Sequence, residues 1–367
     1  MVEHVIGNDE VIGSIPINGS MYKRVLKPIL FKFDPEKIHN LFVYVGRFMG
    51  SFGLGRFLLS LFYGYRGADI SKTVDGVYYK TPIILSAGFD YDGHLTQVLP
   101  SLSFGGVEVG SVTAKPCAGN PKPRLTRLPS SQSILVNKGL KNDGVDIILS
   151  RLKKKKKIKD FVVGISFART NEKAASTVEA RIADYVYSLK KIVESNLGDY
   201  YTINISCPNT FNGEPFTTPD LLEKLFIEID KIPRTKPLYV KMPINVTDNV
   251  FVQLLGVLNR HNAQGVILGN LQKDYTTIDK RDYIPQKYEG GLSGKPCENR
   301  SNELITLTRK EYADRFTVIG CGGVFSYKDA KKKFDLGADL IHLITGMIYE
   351  GPGLIKSICQ GLESEIR

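Results

Sequence analysis

The segment INISCPNT, residues 203–210, sets the thiol of Cys207 between two carboxamides, Asn204 and Asn209. Such a grouping can grip a planar polar molecule and, through the thiol, move one of its protons. A buried cysteine is more often inert packing than a catalyst, so Cys207 gains chemical meaning only from its neighbours. Lys241 closes the apolar run LYVKM at 238–242. An ammonium at the end of such a run must stay charged against an anion or lose its proton, unless it is a surface lysine at a strand end. CGGV at 321–324 and ITG at 344–346 offer the backbone N–H groups with which chains hold phosphate. By itself GGV could equally be a glycine turn that packs a strand against a helix.

These residues need a frame that brings them together. After Lys80 short apolar runs alternate with helical stretches: PIILSAG at 82–88, GVEVGS at 106–111, FVVGIS at 161–166, YTINIS at 201–206, LYVKM at 238–242, GVILGN at 265–270, TVIGCGG at 317–323 and LIHLITG at 340–346. The runs are continuous rather than alternating, as parallel strands buried on both faces must be, and segments such as TPDLLEKLFIEID and SYKDAKKKFDLGA between them carry helical periodicity. Eight such units predict an α/β fold of the (β/α)8 TIM-barrel type. In that fold active sites lie at the carboxyl ends of the strands. Ser86–Gly88, Gly110–Thr113, Ser166, Asn204–Asn209, Lys241, Asn270, Gly322–Gly323 and Thr345–Gly346 all fall there. The glycine segments after the seventh and eighth runs occupy the place where barrels hold phosphate, which favours a phosphorylated ligand.

Ahead of the barrel, PEKIHNLFVYVGRFMG spaces Ile38, Leu41, Phe42, Val45, Phe48 and Met49 at helical intervals, and Leu54, Phe57, Leu58, Leu61 and Phe62 repeat the pattern. Residues 35–64 therefore read as a helical hairpin, interrupted by Arg47 and Arg56, that either docks on the barrel or forms a monotopic membrane attachment or an apolar ligand tunnel. The predicted organisation is a loose tail at 1–20, a helical extension at 21–70 and the barrel at 71–367.

Composition narrows the remaining classes. With 367 residues, 42% hydrophobic and 24% charged, the chain is in the globular range, and no apolar stretch reaches the length of a spanning helix. Lys+Arg 49 against Asp+Glu 38 gives a net charge of +11, which favours anionic partners. The five cysteines form no CxxC pair, and His94 and His342 have no partner at ligand spacing, so neither a disulfide framework nor a metal site is expected. The lysine run 153–157 with Lys159 lacks interleaved aromatics and reads as a solvated face or a lipid-headgroup contact rather than a nucleic-acid site.

From Met21 to Glu365 the chain resembles the dihydroorotate dehydrogenases, barrels that use flavin mononucleotide (FMN) in pyrimidine synthesis. The motifs are MYKRVLKPILFKFDPEKIH, AGFDYDG at 87–93, EVGSVTAKPCAGNPKPRLTRLP at 108–129, INISCPNT, GGLSGKP at 290–296 and GCGGV at 320–324. The hairpin and GGLSGKP are similar to class 2, the membrane-associated branch that reduces quinone through a tunnel formed by the hairpin. The resemblance implies that a base removes a C5 proton of dihydroorotate while a hydride leaves C6 for the flavin, which quinone reoxidises. It places Cys207 as that base and Lys241 beside flavin N1. It assigns Asn204, Asn209 and Asn270 to the pyrimidine edge and Gly294, Gly323, Thr345 and Gly346 to FMN phosphate and ribityl contacts. Ala87, Gly88 and Ser111 fall in the cofactor cradle. It also implies peripheral contact of residues 35–64 with a membrane, the mitochondrial inner membrane in a eukaryote or the cytoplasmic membrane in a bacterium.

The chain departs from that family at its substrate contacts. Class 2 members carry serine as base, whereas a cysteine, with an ordinary pKa of about 8.5, sits closer to working pH. The lysine of GFDK, which pairs with the orotate carboxylate, is Tyr91 here. The INRMGF-like motif is LVNKGL, which puts Val136 at the asparagine and Lys138 two positions on; a one-residue slip would recover Asn137. The asparagine of GxNxGKN is Ser166 and the threonine of TNT is Leu271. Either Lys138 or Arg169 supplies the missing cation, or the pocket takes a less acidic dihydropyrimidine or unsaturated ring; a catalytically silent FMN-binding paralogue is the further alternative.

Overall fold

The computed structural model describes residues 21–172, 177–209, 215–284 and 290–366, so the expectation of a loose tail at 1–20 lies outside the described residues. A π-helical turn, Tyr22–Leu26, runs into a short helix, Lys27–Leu30. Helix α1 (Pro35–Ser51) starts where the side chain of Asp34 accepts a hydrogen bond from the Lys37 N–H at 2.8 Å and Pro35 supplies a preset first turn. Helix α2 (Gly53–Tyr63) follows after one extended residue, Phe52, which completes the expected hairpin. The hairpin leans on the barrel closely enough that a Cβ on Gly46 would sit 2.7 Å from Leu95 Cδ2.

The chain then forms β1 (Lys72–Val74) and β2 (Val77–Tyr79), an antiparallel pair joined by Asp75-Gly76 with both φ angles positive. Two-residue Asp-Gly links are the hairpin turn whose twist matches its strands. The Asp75 carboxylate accepts hydrogen bonds from Tyr239 Oη (2.8 Å) and Thr317 Oγ1 (2.7 Å). Tyr79 packs with Tyr200, Tyr239 and Ile319, so the pair caps one end of the barrel.

The barrel itself is closed by β3 (Ile83–Leu85), β4 (Gly106–Val112), β7 (Val162–Phe167), β8 (Tyr200–Asn204), β9 (Leu238–Met242), β10 (Gly265–Leu268), β12 (Thr317–Cys321) and β13 (Leu340–Leu343), in that order. Every pairing is parallel, with registers such as Ile203↔Val240 and Ile341↔Ile83. Each of the eight expected runs overlaps one of these strands, with β4, β7 and β8 each reaching one residue beyond its run. The strands are almost wholly buried because helices cover their outer faces, including α3 (Val145–Lys153) and the helices Pro219–Ile229 and Tyr327–Asp335. Three further strands, β5 (Leu125–Leu128), β6 (Ser133–Val136) and β11 (Gly291–Leu292), form an antiparallel sheet beside the catalytic-end loops, with Val136 opposite both Leu125 and Gly291.

Candidate functional site

A cavity of about 190 Å³ lies at the carboxyl ends of the barrel strands. It is lined by residues from all the strand ends expected to carry chemistry except that at Ser166, among them Ala87, Gly88, Ser111, Asn204, Cys207, Asn209, Lys241 and Asn270. The three amides are held by short contacts. Asn204 Nδ2 donates to Ser111 Oγ (2.9 Å), Asn209 Nδ2 to the Val136 carbonyl (2.8 Å) and Asn270 Nδ2 to Ser206 Oγ (2.7 Å). Ser166 lies behind this shell, its hydroxyl 2.8 Å from Ser111 Oγ.

Lys241 is buried at the end of β9 and donates to Ser86 Oγ at 3.3 Å. Its field reaches Glu108, a carboxyl fully buried inside the barrel that burial raises above its ordinary pKa while Lys241 pulls the other way. Thr202 Oγ1 donates to Glu108 at 2.6 Å. On the other side His342 is held neutral by burial and by the same lysine, its pKa well below the ordinary value. The cation is therefore fixed on a buried polar floor, aimed at the cavity.

Cys207, Cys297 and Cys321 all line the cavity, with Cys321 Sγ 3.9 Å from Ser86 Oγ, and the first two differ in character. Burial pushes the Cys297 thiol up to about 12, and it donates to the carbonyls of Asn270 and Leu292 at 3.2 and 3.1 Å. Cys207 is only half-buried, on the loop after β8, and the guanidinium of Arg169 interacts electrostatically with it. Only the second arrangement suits proton transfer to a bound molecule.

At the opposite rim Gly322, Gly323, Thr345 and Gly346 meet Gly294. A Cβ on Gly323, whose φ is +76°, would lie 2.3 Å from Glu298 Cβ, and one on Gly346 would lie 1.9 Å from the Val324 carbonyl oxygen. Side chains are excluded there, leaving a backbone surface after β12 and β13 that suits a phosphate. Thr345 Oγ1 donates to Ser293 Oγ at 2.8 Å.

The two proposed cations, Lys138 and Arg169, are placed differently. Lys138 lines the cavity, buried, with its ammonium 5.0 Å from the centre of the Tyr91 ring. It donates to Glu36 Oε1 at 2.9 Å, and Arg124 Nε donates to Glu36 Oε2 at 3.2 Å. One carboxylate thus faces two cations, leaving a net charge of about +1 in a largely desolvated cluster. Glu36 belongs to the first turn of α1, so the hairpin reaches directly into the wall of the cavity. Arg169 is buried but is not among the lining residues.

Val136, paired in register with Leu125, lines the cavity, as does Lys138, whereas Asn137 between them is not among the lining residues. Asn137 instead accepts a hydrogen bond from Asn120 Nδ2 at 2.6 Å. Tyr91, Val136 and Leu271 make the cavity wall less polar than the motifs they replace.

Burial raises the pKa of Glu36, but the hydrogen bond and charge of Lys138, joined by Arg124, outweigh it, so the net shift is downward. A carboxyl with a folded pKa below its unfolded value contributes stability above the ordinary glutamate range, and that contribution is lost as pH falls through the folded value. The expected result is that Glu36→Gln removes the part of the stability loss that wild type shows below about pH 4.3. Thermal melting across the acid range checks this; parallel profiles would contradict it.

A second, more apolar cavity of about 300 Å³ adjoins the first. His39, Phe89, Leu125, Ile134 and Ile348 line both, and Ile38, Phe42, Met49, Leu59 and Tyr63 of the hairpin close its far side around Arg127. His39 is driven down to about 4 by burial and by Lys138, so it stands neutral between the two cavities.

Several contributors carried no sequence signal of their own. Glu36 looks like any acidic residue in a first helical turn, and Glu108 was readable only as a charge inside a strand buried on both faces. Among the described residues no cluster of metal-ligating side chains is present.

A closed parallel barrel with a thiol, a lysine, amides and glycine turns gathered at its carboxyl mouth defines a (β/α)8 enzyme. Within that class the chain belongs to the dihydroorotate dehydrogenase family, whose model, described as Dihydroorotate dehydrogenase, matches residues 69–366. A dihydroorotate dehydrogenase (quinone) of Christiangramia forsetii is 36% identical over 349 residues, 93% of this chain and 98% of the relative. One of Vibrio vulnificus is 32% identical over 351 residues, covering 93% of this chain and all of the relative. The fold is similar to that of the Eimeria tenella enzyme solved with ferulenol, with a TM-score of 0.75 at 24% identity over 90% of each chain.

Proposed function

We propose that this protein oxidises dihydroorotate to orotate in pyrimidine biosynthesis, with FMN as cofactor and quinone as electron acceptor. The observation that carries the reading is the adjacency of a cavity bearing Cys207, Lys241 and three amides to a more apolar cavity closed by the hairpin. The residues fit the cofactor. Gly294, Gly323, Thr345 and Gly346 present the side-chain-free surface for its phosphate and ribityl chain, Ala87, Gly88 and Ser111 cradle it, and Lys241 supplies positive charge beside its ring. Bound FMN would accept hydride from the substrate and release electrons to quinone.

The chain's own residues supply the rest. Cys207 removes the C5 proton as general base. Asn204, Asn209 and Asn270 hold the pyrimidine edge, and the contacts that already orient them reduce the ordering needed on binding. Lys138 pairs with the substrate carboxylate in place of the lysine that Tyr91 replaces, with Glu36 balancing it when the cavity holds no anion. Quinone occupies the apolar cavity. The exposed apolar faces of α1 and α2, including Phe48, Leu54 and Phe57, lie on a membrane, the inner mitochondrial or the bacterial cytoplasmic one. Among the described residues no helix is long and apolar enough to cross it.

Steady-state turnover tests the reading. The protein is expected to reduce a short-chain quinone with dihydroorotate and to leave fumarate and NAD⁺ untouched. Met49→Trp, which projects into the apolar cavity from α1, is expected to raise KM for quinone about tenfold, the loss of about 1.4 kcal/mol of apolar contact, without changing orotate affinity. Turnover with fumarate or NAD⁺ but not quinone would contradict the assignment.

A further inference from the structure

The lysine run after α3 takes no part in either cavity. Lys153, Lys154, Lys156 and Lys159 are exposed, and among the described residues none of the four forms an ion pair. The two acidic neighbours do not neutralise the run: Asp199 is taken by Lys157 at 2.9 Å, and Asp160 follows it singly. Five lysines in succession repel one another, and of the five only Lys157 has an ion-pair partner among the described residues.

Its position gives it a partner. The run lies beside the turn of the hairpin, joined through one segment of chain. Gln97 Nε2 donates to the Lys156 carbonyl at 2.8 Å, while a Cβ on Gly50, at the end of α1, would touch Gln97 Cβ at 3.3 Å and Val98 at 3.2 Å. Arg47 of α1 is near enough to Lys155 to add to the lowering of its pKa, after burial. The same end of the hairpin exposes Phe48, Phe52, Leu54 and Phe57. An apolar patch bordered by unpaired cations matches the boundary between acyl chains and anionic headgroups.

We infer that Lys153, Lys154, Lys156 and Lys159 form a docking surface for anionic phospholipid headgroups, which fixes how the hairpin lies on its membrane. The inference rests on the membrane reading of the hairpin and adds to it the lipid class and the barrel face turned toward the bilayer. The lysines' lack of interleaved aromatics removes the stacking that single-stranded nucleic acid requires.

The test is flotation of the full chain with vesicles of phosphatidylcholine alone and of phosphatidylcholine mixed with phosphatidylglycerol. Each lysine at an anionic surface contributes about fivefold to partition, so the quadruple variant Lys153→Gln, Lys154→Gln, Lys156→Gln, Lys159→Gln is expected to lose roughly 600-fold on the mixed vesicles. It should keep its weaker binding to phosphatidylcholine, and added salt should reproduce the loss in wild type. Wild type binding both vesicles equally, or a quadruple variant that keeps its anionic preference, overturns the headgroup surface and leaves the hairpin reading intact. Wild type binding neither vesicle overturns the hairpin reading, and with it this one. Tighter binding of a labelled oligonucleotide than of mixed vesicles, lost in the variant, would assign the run to nucleic acid and also overturn the proposal. Phe48→Glu with Phe57→Glu is expected to abolish binding to both vesicles while the melting temperature stays unchanged.

Discussion

Cys207→Ala is expected to slow bleaching of the flavin by dihydroorotate about 10²- to 10⁴-fold, the range that a positioned general base contributes. Cys207 sits on the loop after β8, on the opposite side of the cavity from the glycine surface after β12 and β13. The variant should therefore bind FMN as wild type does and be reduced normally by dithionite. Cys207→Ser should retain part of the activity and shift its pH optimum upward, because a hydroxyl gives up its proton less readily than a thiol. Alanine at 207 with an unchanged bleaching rate would remove the base from this position, and the buried Cys297 could not replace it.

Lys138→Met is expected to weaken orotate binding by about 2–5 kcal/mol, roughly 30- to several thousandfold, the usual effect of removing one partner of a buried charge pair. Its cost to folding should be smaller, since Arg124 stays to balance Glu36, with Nε 3.2 Å from the carboxylate. The change in flavin absorbance on titration with orotate reads the affinity directly. Glu36→Gln should act in the opposite sense, because it leaves Lys138 without its counter-ion until the substrate carboxylate arrives. Orotate bound equally well by Lys138→Met would mean that the cavity does not use this cation. Tighter binding by that variant of a dihydropyrimidine without a carboxylate would then favour the neutral ring that the Tyr91, Val136 and Leu271 wall also admits.

The barrel was legible because parallel strands buried on both faces leave continuous apolar runs, and each of the eight strands overlaps a run visible in the sequence to within a residue at its ends. The hairpin was legible for the complementary reason, since Ile38, Phe42, Val45 and Met49 lie on one helical face and line the apolar cavity together. The antiparallel sheet of β5, β6 and β11 was not. Its strands are two to four residues long, and although β5 and β6 pair locally, β11 joins them through contacts across more than 150 residues, such as Gly291↔Val136, that no local period records. The β1–β2 pair could have been found from Asp75-Gly76 between alternating residues. Whether Val136 or Asn137 faces the cavity was open in the sequence, because one position along a strand decides which face a side chain takes. The Glu36 contact to Lys138 joins residues 102 apart, so the charge balance of the substrate cavity emerges only once the hairpin is docked.

The most direct measurement is anaerobic. The purified flavoprotein is mixed with L-dihydroorotate, its oxidised flavin band is followed, and a short-chain quinone is then added. Bleaching on the first addition and recovery on the second are the expected results, since the cavity bearing Cys207 must read the substrate and the more apolar cavity must admit the acceptor. A protein whose flavin is reduced by dithionite but not bleached by dihydroorotate would contradict the account.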